Sequence, residues 1–356
     1  MSLQPGRIDV HHHLIPPAFA AAMARRGLAY VAGAPLALWD ARKSLAVMED
    51  QQIQAAILSL SAPGVYLGDI DEARALAREC NEFAANLCAR YPGRLGMFAV
   101  LPMPFTEDAC REAIYALDTL RADGIGLLGS TDGVFLGDGR LGELMDELNR
   151  RKTVVFVHPN LHAGSAQLGL DLPGFLLEFV CDTTRAATNL IVSGTLEKYP
   201  DITWILAHAG GFLPYIAYRL SLANLMIDLA PALPQGMLSY VRRFYYETAL
   251  STSAAGLATL KELVEPSHIL FGSDFPFAPA PVVANETSAL DRMPLWSVAE
   301  RDGINRGHAL RLFPRFSQAG EVVAPRASYR RASWRVRARN MVARPLLIAA
   351  DSMRNR

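Results

Sequence analysis

Cysteine is scarce in this chain, net charge is absent and long apolar runs are missing, and each shortage removes a class of protein. Only four cysteines occur in 356 residues, Cys80, Cys88, Cys110 and Cys181. None forms a C-x-x-C pair, so neither a thiolate metal cluster nor a disulfide framework is indicated. Cys80 and Cys88, two helical turns apart, read as buried thiols of a reducing cytoplasm. No stretch reaches the roughly 18 apolar residues of a membrane span. The opening MSLQPGRIDVHHH has no basic segment flanking an apolar core, which argues against a secretory leader. The expectation is a cytoplasmic protein with no membrane partner, in which the Asn285-Glu286-Thr287 sequon carries no meaning.

The 35 basic and 35 acidic side chains cancel, but unevenly along the chain. Residues 316–356 hold nine arginines against Glu321 and Asp351, whereas the preceding 315 residues carry an acidic excess. An arm of this kind can bind nucleic acid. The acidic body argues against that partner. The sequence therefore divides into one domain over 1–315 and an Arg-rich, weakly ordered tail over 316–356, with the boundary near Phe316.

What is present is a repeated alternation of short β-type runs and longer amphipathic ones. Strands are expected at Arg7–His11, Gln54–Leu60, Leu95–Leu101, Gly124–Leu128, Thr153–His158, Ile202–His208, Phe244–Thr248 and His268–Asp274. Runs such as TVVFV and ITWILA are apolar on both faces, as strands of a parallel sheet must be. Helical stretches such as EARALARECNEFAANLCARYPG lie between them, this one stopped by Pro92-Gly93. Eight such units over about 310 residues predict a (β/α)8 TIM barrel with loop insertions, an α/β fold. A doubly wound sheet is the alternative.

The chemistry gathers at strand ends. His11 and His13 close the first strand, His158 the fifth, His208 the sixth and Asp274 the eighth. In a parallel barrel these ends open on one face, where active sites are built. Residues two apart on a strand point the same way, so His11 and His13 can share an ion while His12 points elsewhere. Imidazoles with a carboxylate suit zinc or another borderline divalent metal. A lone strand-end histidine is more often a hydrogen-bonded core residue, but here four histidines and Asp274 share one polarity. His162, His268 and His308 fall elsewhere.

Those segments resemble a known family. Asp9-x-His11-x-His13, His158-Pro159, Ala207-His208-Ala209-Gly210-Gly211 and Phe271-Gly272-Ser273-Asp274-Phe275-Pro276 are similar to the amidohydrolase-superfamily group typified by aminocarboxymuconate-semialdehyde decarboxylase. Asp182-Thr183-Thr184-Arg185 and Phe244-Tyr245-Tyr246-Glu247-Thr248-Ala249 look closest to its 6-methylsalicylate decarboxylase-like branch. The resemblance implies one divalent ion, zinc or manganese, on His11, His13, His158 and Asp274, with His208 beside it as acid/base group; a homodimer is also suggested. The fourth strand, GIGLLGST, has no lysine to bridge a second ion, and Lys152 precedes strand five at the other end. Glu247, where the family more often has Asp, and His308, where it has Asn, are departures placed away from the ligands.

The expected reaction is non-oxidative decarboxylation of a small aromatic, hydroxybenzoate-like or muconate-like carboxylic acid, with His208 or Asp274 delivering the proton. Arg185 and Arg219 are candidates for the substrate carboxylate, since a guanidinium fork matches it. Loops 161–182 and 276–298 are expected to shape the pocket. The alternative is hydrolysis of a lactone, amide or ester by water activated at the same site. The G-x-G-x-x-G match at Gly124–Gly129 lies within a strand and not before a helix, so it is not read as a dinucleotide site.

Overall fold

A parallel sheet needs cover on both faces, and the apolar runs supply strands that tolerate it. In the computed structural model, which describes residues 6–168, 170–326, 329, 331–336 and 338, eight strands lie side by side in sequence order. They are β1 (Arg7–His13), β2 (Ile53–Ser59), β3 (Leu95–Val100), β4 (Gly124–Leu128), β5 (Val154–His158), β6 (Thr203–Leu206), β7 (Tyr245–Glu247) and β8 (Ile269–Leu270). Every neighbouring pair is parallel. The ring closes where β1 meets the chain after β8. There Val10 N–H donates to Phe271 O at 3.0 Å, Asp274 N–H to His11 O at 2.8 Å and His13 N–H to Phe275 O at 2.7 Å. Sequential order with closure is a (β/α)8 barrel and excludes the doubly wound sheet.

The crossovers are helical for local reasons. In α1 (Ile70–Arg90), Asp69 caps the N-terminus by accepting from Glu72 N–H, and Ala73, Leu76, Ala77, Cys80 and Ala84 form the buried stripe. Burial pushes the Cys80 and Cys88 thiols up to about 12, so neither is a thiolate at neutral pH. The glycines of GIGLLG are there for packing. A Cβ on Gly124 would lie 2.3 Å from Val154 O, and one on Gly129 2.3 Å from Asp182 Oδ2.

Two strands end well before their expected last residue, β6 at Leu206 and β8 at Leu270, and the expected last residues themselves, His208 (φ 53°) and Asp274 (φ 56°), adopt left-handed backbone that a ladder cannot include. β1 runs further than expected, through His13, carrying a register irregularity between Asp9 and His12.

The N-terminal end of the barrel is sealed from the C-terminal side of the chain. Ile8, Val10, Phe98, Val154, Phe156 and Leu270 pack there with Leu312, Phe313 and Phe316. Phe316 is only 1% exposed. Arg306, 5% exposed, donates to Gly6 O, Gln54 Oε1, Phe316 O and both oxygens of Glu321. Further on, Arg326 donates to Lys152 O and Asp201 O, and the Arg243 guanidinium lies 3.5 Å from the Tyr329 ring centroid. Residues on both sides of the boundary expected near Phe316 thus contact the packed base. Single anchors of this kind have no periodicity to betray them. Residues 339–356 lie outside the described residues. Among those described, no helix is long and apolar enough to cross a membrane.

Removing the Phe316 ring opens a cavity in the base. Phe316→Ala is expected to cost about 3–5 kcal/mol, read as a lower midpoint in urea. An unchanged midpoint would leave the boundary at 315.

Candidate metal centre

Strand alternation places His11 and His13 together and turns His12 away. His12 Nδ1 lies 2.9 Å from Asp9 Oδ2 and Nε2 lies 2.9 Å from Ser44 Oγ. Asp9 also accepts from Ser273 Oγ at 2.5 Å and Ser273 N–H at 3.0 Å. That clasp ties β1 to the turn that carries Asp274. Gly272 has no room for a side chain, since a Cβ there would lie 2.0 Å from Glu247 Oε2 and 2.9 Å from His11 Cβ.

Each of the three strand-end rings has its Nδ1 against an oxygen. His11 Nδ1 is 2.9 Å from Glu247 Oε1, His13 Nδ1 3.1 Å from Ser59 O, and His158 Nδ1 2.8 Å from Pro159 O. Nδ1 therefore carries a proton in each, and whenever the ring is neutral Nε2 is left as a lone pair. Those lone pairs converge. His11 Nε2 and His13 Nε2 are 2.9 Å apart, and Asp274 Oδ1 lies 3.3 and 3.0 Å from them. Between neutral rings and a carboxylate these contacts are acceptor against acceptor, and Asp274 Oδ1 is buried without a hydrogen-bond partner. The donor atoms of His11, His13, His158 and Asp274 all lie within 4.8 Å of one another. Such a set is repulsive unless a cation, or a proton on one of the rings, sits among it. These four residues could hold a divalent ion.

The charge states agree with ligation. Burial drives His13 down and His158 well down, so both rings are neutral. Burial also opposes charge on Asp274, yet His11 and His13 hold its carboxyl well below the usual range. At His11, burial lowers the ring but Glu247 and Asp274 outweigh it and push it up to about 10. A proton there answers the same need for positive charge that a metal would, and ligation must displace it.

Glu247 does touch one of the candidate ligands, His11, contrary to the placement drawn from sequence. Fully buried on β7, it accepts from His11 Nδ1, from His208 N–H at 2.5 Å and from Ala249 N–H at 2.6 Å. It thus sets the tautomer of one ligand and the backbone of the neighbouring histidine. His208 sits on the turn after β6, its Nδ1 3.1 Å from Ala249 O and its ring centroid 5.0 Å from that of His11. Asp182, unassigned by sequence, is also fully buried. It accepts from Ser130 Oγ at 2.6 Å and Asn160 N–H at 2.9 Å, clamping the loops after β4 and β5.

Above the cluster opens a cavity of about 420 Å3. His158, His208 and Asp274 form its floor, and Phe175, Leu176, Phe179, Val180, Phe277, Ala278, Pro279 and Val282 come from the two loops expected to shape it. Val31, Ala34, Ser61, Leu250 and Ser251 complete the wall, and no sequence motif marked them. Neither candidate arginine is there. Arg185 is exposed and pairs with Glu178 at 3.7 Å; Arg219 is exposed on the helix Leu213–Leu220. His268 stacks on Tyr245 at the base and His308 bonds Ile269 O, both away from the cavity.

Comparison with known proteins agrees with this geometry. The family described as Amidohydrolase matches residues 8–315. Decarboxylase macB of Penicillium terrestre is 38% identical over 87% of this chain and 95% of its own length. The 6-methylsalicylic acid decarboxylase of Penicillium expansum is 37% identical over 87% and 96%. The crystal structure of a dihydroxybenzoic acid decarboxylase from Polaromonas sp. JS666, with bound manganese and the inhibitor 2-nitroresorcinol, superposes with TM-score 0.75. It is 26% identical over 87% of this chain and 97% of that one.

Loss of the carboxylate behind His11 is expected to weaken metal binding without unfolding the barrel. Glu247→Gln should lower affinity about 10–100-fold in competition with a chromophoric chelator. Unaltered affinity would reduce Glu247 to a packing role.

Proposed function

The chain belongs to the amidohydrolase family, and from that premise we propose that it is a metal-dependent carboxy-lyase releasing CO2 from a small hydroxybenzoate-like acid. The observation that carries this reading is the pairing of a cation cradle with a wall that holds no basic side chain. A hydroxybenzoate carboxylate entering such a cavity loses its hydration, whereas the CO2 that leaves is neutral and has little to lose. Dryness therefore favours cleavage. The alternative, hydrolysis, needs ordered water and a stabilised polar leaving group, for which the wall offers little.

His11, His13, His158 and Asp274 are the residues that would hold the ion, zinc or manganese; manganese is what the Polaromonas decarboxylase carries. When bound, the ion polarises a substrate oxygen and neutralises charge that builds up during cleavage. The bond between ring and carboxyl breaks with its electron pair left on the ring carbon. That carbon then takes one proton, so that carboxylate and proton become arene and CO2. His208 and Asp274 both border the cavity and are the candidate donors. His208 Nδ1 is engaged with Ala249 O, which leaves Nε2 as the atom that transfers the proton. The aromatic faces of Phe175, Phe179 and Phe277 suit a flat ring better than an open muconate chain.

His208→Ala and Asp274→Asn, made separately, should each lower CO2 release from hydroxybenzoates by about 100-fold or more, and reaction in D2O should place deuterium on the ring carbon. Full activity in both variants would remove the assignment. Stripping the ion with a chelator should abolish CO2 release, and readdition of Mn2+ or Zn2+ identifies the working metal. Labelled water oxygen appearing in a carboxylate product would favour the hydrolase instead.

A further inference from the structure

In an eight-stranded ring the second and sixth strands stand opposite each other. β6 leads into His208, and β2 leads through Leu60 to Ser61. Ser61 lines the cavity and is 4% exposed. Its hydroxyl makes no hydrogen bond to another described residue. Ser59, two residues earlier, is already engaged through the carbonyl that receives His13 Nδ1. The wall has one other hydroxyl, Ser251, which is only half-buried. That hydroxyl is not among the buried polar atoms left without a partner, so it opens onto the cavity, where a ligand can complete it, and nothing in the decarboxylation chemistry uses Ser61.

We propose that Ser61 is the specificity-determining residue that recognises the ring hydroxyl of the substrate. The proposal rests on the decarboxylase reading above. The division of labour follows from charge and position. An anionic carboxylate belongs at the cation, beside Asp274 and within reach of the His208 proton. A neutral hydroxyl that both gives and accepts matches a phenol, and Ser61 lies across the cavity from His208. A ring with its carboxyl-bearing carbon at the His208 side presents its far atoms to the Ser61 side. An analogue without the hydroxyl leaves Ser61 unpaired, which is how a buried polar group rejects a near-isostere.

The test uses metal-loaded protein and two probes that release no CO2, 3-methylphenol and benzoate, with binding followed by calorimetry. Ser61→Ala should weaken 3-methylphenol about 10-fold and leave benzoate within about twofold. Ser61→Thr, which keeps a hydroxyl, should retain most of the phenol affinity, and metal content should not change. Unaltered 3-methylphenol binding in Ser61→Ala overturns the proposal. Equal losses for both probes overturn it too, since the hydroxyl would then be serving the carboxylate. If the wild-type protein binds neither probe, the decarboxylase reading falls and this assignment with it.

Discussion

Three imidazole lone pairs and one carboxylate oxygen are forced together at the mouth of this barrel, and the rest of the site follows from that crowding. The pinning is done from behind. Glu247, Ser59 O and Pro159 O each take an Nδ1 proton, so a neutral ring can turn only its Nε2 lone pair toward its neighbours. Without a cation or the His11 proton between them, acceptors at 2.9–3.3 Å repel, and the surrounding backbone must hold them in place. The Asp9–Ser273 clasp and the closing hydrogen bonds of β1 supply that restraint. His208 and Asp274 in left-handed backbone are further strain located where the chemistry is, held by a framework that over-determines them.

Glu247 shows how few atoms connect the parts. Its two oxygens receive a ligand ring, the amide of His208 and the amide of Ala249. Ala249 in turn offers its carbonyl to His208 Nδ1. The orientations of the His11 ring and of His208 are thus properties of one buried carboxylate, and the strand that bears it is only three residues long. Two histidines positioned by the same group cannot be tuned separately.

The two ends of the barrel have different tasks. At the C-terminal end, side chains from every quarter of the chain meet around a largely apolar cavity. At the N-terminal end, Phe313, Phe316 and the satisfied Arg306 close the cylinder, and the first part of the tail continues that closure. Rigidity at the base lets the strand ends at the other face be held to the tolerance that ligation demands.

The alternation of eight apolar runs with amphipathic ones was legible in the sequence, as was the common polarity of His11, His13, His158, His208 and Asp274, because both are set by local periodicity along each strand. Their convergence within 4.8 Å follows once the ring closes. Local spacing carried no information about contacts across the ring. It could not show that Glu247 on β7 reaches His11 on β1, that Asp182 clamps two loops, or that Ser61 faces the cavity. Nor could it show that Arg185 and Arg219 turn outward, since an arginine on an amphipathic helix has the same spacing whether it faces solvent or a ligand. The strand ends were blurred for a related reason: one residue in left-handed backbone redirects a side chain without altering the composition around it. The sequence by itself determined which residues were chemically equipped; closure of the barrel decided which of them meet, because inter-strand distances depend on register and curvature that no single strand contains.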